Sequence, residues 1–210
     1  MDLGQKVRQL AGQGGDLTAV RTGLDRLLRA AVGYDIAAIS TVDPATMLWT
    51  SCFVSGLPAA DGRAREKVIF DLEFMGADIN GYAELANDGR LIGRLYQASG
   101  GDLSRARRWR PLLSTIACTD EMRVMLCTRD LCWGTLTLYR TGERSPFSER
   151  DENVVRGALT AMADLFRLTM LRAALESPGA LDRPPGVLLV SPSGDVVTTS
   201  DAARDWLDGI

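Results

Sequence analysis

The sequence predicts an α+β fold built on an antiparallel sheet. Three observations carry this. YDIAAISTVDP with MLWTSCFVS, and DEMRVMLC with CWGTLTLYR, read as two pairs of strands, each pair joined by turn residues. Apolar residues recur at three- and four-residue spacing over 16–32 and again over 149–175, one amphipathic helix on each side of the strands. Between the strand pairs lies a stretch, 76–110, of short helical fragments broken by Asn87–Asp88–Gly89 and Gly100–Gly101.

Taken in order, residues 1–15 are rich in glycine and glutamine and are expected to form a flexible arm. Asp16 is a suitable N-cap for the first helix, whose inner face holds Leu17, Val20, Leu24, Leu27, Leu28 and Ala31. Gly33 stops it. The first hairpin turns at Asp43–Pro44 and breaks at Gly56–Leu57–Pro58. ADGRAREKVIFDLEF (60–74) reads as a helix with Val68, Ile69 and Leu72 inward, and GYAELAN and IGRLYQAS as short helices. After the second hairpin, Ser148 and Asp151 have capping-box spacing at the head of the long helix. ESPGALDRPPG, 176–186, is a linker by composition, and 187–210 reads as strand, Ser193–Gly194 turn, strand and the start of a helix. A hairpin and part of a helix do not bury a core alone, so this tail is expected to be the cut opening of a second unit.

Composition narrows the function. The 210 residues carry a net charge of −3, and 46% are hydrophobic. Such a chain can bury a core without disulfides or metals, and its acidity disfavours a nucleic-acid grip, which draws on basic excess. RARRWR, 105–110, is a local basic cluster and is expected to be a solvated helix end. No apolar run approaches the ~18–20 residues that span a membrane, and the first residues lack a signal-peptide core. A cytoplasmic protein with reduced thiols is expected. Histidine is absent, which removes Ser-His-Asp and Cys-His triads, His-ligated zinc and His-ligated haem.

Three of the four cysteines, Cys118, Cys127 and Cys132, fall within the second hairpin at C-x8-C-x4-C spacing, unlike the close pairs of zinc sites. Alternation decides their faces. A two-residue turn at Arg129–Asp130 pairs Cys127 with Cys132. A three-residue loop, 129–131, pairs Cys127 with Trp133 and Val124 with Leu136. The second register gives one fully apolar face and is preferred. It puts Cys127 and Cys132 on opposite faces, so that they share neither a metal nor a disulfide. Buried structural thiols are the simpler reading. The other face then holds Glu121, Arg123, Trp133, Thr135, Thr137 and Tyr139, either a ligand surface or an Arg–Glu ion pair roofing the sheet.

Five stretches in this order, ADINGYAELAN, ASGGDLSRARRWR, DEMRVMLC, CWGTLTLYR and SPFSERDE, resemble the GAF-like sensor region of actinobacterial LuxR-type transcriptional regulators. The tail PPGVLLVSPSGDVVTTSDAARDWL resembles the start of the PAS-like segment that follows it there, so the likeness spans about 16–210. The resemblance implies a GAF/PAS-like sheet with the N- and C-terminal helices on one face and the helical excursion on the other. It assigns 16–175 to the GAF-like domain and DNA contact to a C-terminal helix-turn-helix absent from this chain. The cyclic-nucleotide motif of some GAF domains is not found, and bilin- and haem-type sites lack their histidine.

The reading that follows is a non-enzymatic sensory domain without cofactor or metal. A small anionic or carbonyl-bearing signal would sit between the mixed sheet face and the excursion. Tyr82, Trp109, Glu121, Arg123 and Trp133 are the candidate ligand residues, with core packing the alternative fate of Tyr82 and Trp109. The helices at 16–32 and 149–175 would make a homodimer; the long one is apolar around much of its circumference. The alternative is a redox-active GAF protein, a thiol sensor or a methionine sulfoxide reductase-like enzyme, with Cys127 beside Arg129 as its thiol.

Overall fold

A computed structural model describes residues 1–129, 131–176, 186–191, 193 and 195–207, with the backbone alone at 59–64, 66 and 206. They form two compact units, Met1–Met170 and Leu171–Ile210. Asp130 and Gly194 of the two expected turns, and residues 177–185 of the expected linker, lie outside the described residues.

The first 15 residues are not an arm. Helix α1, Leu3–Gln13, starts at Asp2, whose carboxylate accepts from the Gln5 amide at 2.8 Å while Gln5 accepts in return from the Asp2 amide at 3.1 Å. Leu3 and Val7 are buried in the main core, with Leu10 and Ala11 packed against it. That is a helical stripe, which the surrounding glycine and glutamine obscure in the sequence. Helix α2, Leu17–Val32, is capped by Asp16 and ended by Gly33 at φ 59. Strands β1 (Ile36–Val42) and β2 (Trp49–Ser55) form the first hairpin, and α3 is Ala59–Phe74.

The excursion continues with α4, Tyr82–Asn87. Ile92–Arg94, expected to be helical, is an edge strand, β3, followed by the single turn α5, Leu95–Ala98. Ile92 pairs with Val124, and its burial on the sheet outweighs the local preference. Short helical turns at Leu103–Arg105, Trp109–Leu113 and Ser114–Ile116 lead to β4, Cys118–Thr128, and β5, Leu131–Thr141. The long C-terminal helix is two helices, α6 (Glu149–Arg156) and α7 (Leu159–Glu176). The break at Gly157–Ala158 is where α1 crosses: a Cβ on Gly4 would meet the Gly157 carbonyl at 3.1 Å. The second unit holds the hairpin β6 (Leu188–Val190) with β7 (Val196–Thr199), then α8, Asp201–Leu207.

The five-stranded sheet runs β2-β1-β5-β4-β3, antiparallel throughout. One face packs on α1, α2, α6 and α7. Leu24, Leu28, Ile39, Val124, Leu126, Leu136, Met162 and Phe166 fill that layer; each such side chain contributes about 1.5–3 kcal/mol on burial. The opposite face meets α3, α4 and the short turns through two smaller clusters.

The central hairpin uses both candidate registers. Val124 pairs with Leu136 and Leu126 with Gly134, as the three-residue loop requires, yet Cys127 pairs with Cys132 and Thr128 with Leu131, as the two-residue turn requires. A β-bulge between these pairs takes up Trp133 as the extra residue. Gly134 sits at this point because a Cβ there would lie 2.7 Å from both Phe166 and the Ser40 carbonyl. The bulge reverses parity below it. Trp133 turns to the helix-covered face, while Cys132 joins Cys127 and Met125 on the other.

Candidate functional site

The excursion-facing side of the sheet carries the chemistry. From β1 come Ala38 and Ser40, from β5 Thr137 and Tyr139, and from β4 Arg123. Together with Trp49, Thr50, Ser51, Cys52 and Val54 of β2, and Ile69 and Phe70 of α3, they line a cavity of about 340 Å³. Ala38 and Ser40 explain the space: small side chains at alternate positions of a central strand leave the sheet floor low where α3 passes over it. Its wall is largely apolar, with hydroxyls on the floor and one guanidinium at the end, the mix typical of small-molecule sites.

Arg123 belongs to a buried chain of alternating charges. Its Nη1 donates to Glu73 Oε2 at 2.6 Å, and its Nε lies 3.3 Å from Glu121 Oε2. Arg108 donates to the same Glu121 oxygen from Nε at 2.9 Å and from Nη2, and reaches Asp78 Oδ2 from Nη1 at 2.7 Å. Glu121 and Arg108 are each about 1% exposed. Three carboxylates face two guanidiniums, an excess of one negative charge. Burial alone would raise the Glu121 pKa; Arg108 and then Arg123 more than offset it and hold it below the usual carboxylate range. Asp78, opposed in the same way by burial, is likewise held down by Arg108.

Tyr82 supports this chain from beneath. Its ring lies 4.9 Å from the Arg123 guanidinium carbon, and its hydroxyl makes 2.8 Å contacts with the Leu136 carbonyl, to which it donates, and with Thr137 Oγ1. Burial pushes its pKa well up. Tyr139 is also pushed up, by burial first and then by Glu121. Its hydroxyl forms no hydrogen bond among the described residues, and the residue lines the cavity.

Of the five expected ligand residues, Arg123 alone lines this cavity. Glu121 and Tyr82 are its supports. Trp109 packs in the cluster that includes Leu95, Leu112 and Tyr139. Trp133 is on the opposite face, its Nε1 donating to Thr128 Oγ1 at 2.8 Å, because of the bulge. Of the basic cluster, Arg105, Arg107 and Arg110 are exposed as expected, but Arg108 is buried. Arg105 donates to the Ser99 carbonyl, Arg107 to those of Asp71, Leu72 and Met75, and Arg108 is the inner cation of the charge chain. Arg105 and Arg107 pin the excursion through its carbonyls, and Arg108 neutralises the carboxylates of Asp78 and Glu121. Sequence reasoning placed Thr137 and Tyr139 on the candidate ligand face but missed Ser40 and the β2 and α3 residues that complete the site. The available signal was the small-residue alternation Ala38–Ser40 opposite a polar alternation on β5.

The cysteines are not joined in disulfides: Cys52 is exposed, Cys127 half-buried, and Cys118 and Cys132 buried. Burial first, then Glu121 and Asp120, push the Cys118 thiol up. No group of three or more cysteine, aspartate or glutamate side chains suited to a metal occurs among the described residues, and none of the described helices is long and apolar enough to cross a membrane.

No family model and no curated protein matches the chain. Solved structures do. The GAF domain of a phosphoenolpyruvate-protein phosphotransferase from Coxiella burnetii aligns with a TM-score of 0.57 at 15% identity, over 82% of this chain and 95% of that one. The phycocyanobilin-bound GAF domain of a cyanobacterial phytochrome gives 0.51 at 16% identity, over 82% and 96%. The VqsR LBD domain from Pseudomonas aeruginosa gives 0.50 at 12% identity, over 79% and 94%. With its five-stranded antiparallel sheet, its terminal helices on one face and its helical excursion on the other, the chain has the GAF fold.

Proposed function

We propose that the chain is the sensory part of a transcriptional regulator of the LuxR type and binds a small uncharged molecule over the sheet. The observation that carries this is the cavity of about 340 Å³ between the β2–β1–β5 floor and α3, with Ser40, Thr50, Ser51, Thr137, Tyr139 and Arg123 set among largely apolar walls. Arg123 already faces Glu73 and Glu121, and the charge chain carries an excess negative charge. An anion is therefore disfavoured, and a carbonyl or hydroxyl on an apolar body suits the site. The bound bilin of the phytochrome GAF domain supports use of the fold for small molecules.

Thermal shift tests this. Neutral carbonyl- or hydroxyl-bearing compounds are expected to raise the wild-type Tm, since a ligand that binds the native state stabilises it. Ala38→Phe fills the cavity and should keep its fold but lose the shift. Equal shifts in both proteins, or none in the wild type with any compound class, reject the proposal.

In this reading the protein is cytoplasmic and not an enzyme, and 187–210 belongs to a PAS-like segment. DNA contact falls to a helix-turn-helix outside these 210 residues. Homodimerisation through α2 and α6–α7 is supported by Leu168 and Leu171, 38% and 44% exposed on α7. Sedimentation equilibrium is expected to return twice the chain mass, and Leu168→Glu with Leu171→Glu to return it to one. A monomeric wild type removes the dimer.

A further inference from the structure

We propose that Cys127 and Cys132 are a disulfide-forming thiol pair, an oxidation site at the turn end of the β4–β5 hairpin. The register carries this. The two cysteines are direct cross-strand partners, with Thr128 and Leu131 closing the hairpin beyond them. Arg129, at φ 54, begins the connection in the left-handed conformation that two-residue hairpin turns require. The closing pair of such a turn is the hydrogen-bonded one, so the next pair inward is non-hydrogen-bonded, with Cα atoms about 4.5 Å apart. That separation lies within the ~4.4–6.8 Å that a disulfide spans. Without the bulge at Trp133 the thiols would stand on opposite faces; with it, both enter the cluster of Val42, Tyr82, Leu85 and Met125.

Exposure assigns the order of events. Cys127 is half-buried beside the exposed Arg129 and Leu131, whereas Cys132 is 3% exposed. A small-molecule disulfide such as oxidised glutathione exchanges first with Cys127: its sulfur attacks one glutathione sulfur, and one molecule of reduced glutathione leaves with the Cys127 proton. The Cys132 sulfur then attacks Cys127 Sγ, the mixed disulfide breaks, and a second reduced glutathione leaves with the Cys132 proton. The protein loses two electrons and two protons, and one glutathione disulfide becomes two thiols.

The test uses the full chain carrying Cys52→Ser, which removes the exposed cysteine of the four and leaves three. After equilibration with oxidised glutathione and alkylation, intact mass should show loss of two hydrogens and a single alkylated thiol, Cys118. Trypsin cuts after Arg123, Arg129 and Arg140, so the bridge should appear as two linked peptides. Adding Cys132→Ser should instead trap glutathione on Cys127. Three alkylated thiols after equilibration, or a stable adduct in the protein that retains Cys132, overturns the proposal.

Discussion

Arg108→Met is expected to destabilise the protein by about 3–5 kcal/mol, the usual cost of removing one partner from a buried ion pair. The charge count explains why this position ranks so high. Asp78, Glu121 and Glu73 share Arg108 and Arg123. Without Arg108, three carboxylates face one guanidinium, and the Glu121 oxygen loses both of its Arg108 bonds. Glu121→Gln acts in the other direction. It leaves Glu73 with Arg123 and Asp78 with Arg108, two balanced pairs, so it should cost less than half as much. Urea unfolding of the two variants checks the order; a costlier Glu121→Gln would sink the excess-charge account. The acid limb gives a second readout. Glu121 and Asp78 are held below their ordinary pKa in the folded state. Their contribution is therefore present above the unfolded carboxylate pKa and is lost as pH falls through the depressed folded values. Arg108→Met removes the cause of that depression and should flatten the loss of stability at low pH.

The sequence shows much of the scaffold because the scaffold is periodic. Helix α2 declares itself through Val20, Leu24 and Leu28, and β4 and β5 through alternation on either side of a turn. What it hides depends on partners far away in the chain. Helix α1 looks like an arm until Gly4 is seen against Gly157. β3 is three residues long and is strand only because β4 lies beside it. Face parity is reliable within a regular ladder and fails at a bulge, and here one extra residue moved Trp133 out of the candidate site and Cys132 to the face of Cys127. Arg123 and Glu121 were legible as a buried pair on one face. Arg108 was not, because a basic run normally reads as solvated surface, and the carboxylates that hold it come from residues 78 and 121.

Asp120→Ala is expected to cost about 3 kcal/mol or more, because unsatisfied buried hydrogen-bonding groups cost ~1–3 kcal/mol each. Asp120 is 0% exposed and binds three backbone amides: Oδ1 accepts from Tyr96 at 2.7 Å and Glu121 at 2.8 Å, Oδ2 from Phe147 at 2.9 Å. It thus ties β4 to α5 and to the segment that enters α6. Alanine leaves all three donors without this partner. Asparagine keeps one oxygen for Tyr96 and Glu121 but sets its NH₂ against the Phe147 amide, a donor facing a donor, so it should be milder than alanine and local in effect. Burial raises the Asp120 pKa despite the three amides, which lower it. The sign is opposite to that of Glu121. Asp120 favours folding while protonated, below its unfolded pKa, and that contribution is lost as pH rises through its folded value. Asp120→Asn should remove this pH-dependent loss while Asp120→Ala deepens the overall deficit. Amide exchange resolves the local part: faster exchange at Tyr96 and Phe147 in the alanine variant, and at Phe147 alone in the asparagine variant, is the expected pattern. Unchanged exchange at Phe147 in both would show that Asp120 does not hold the head of α6.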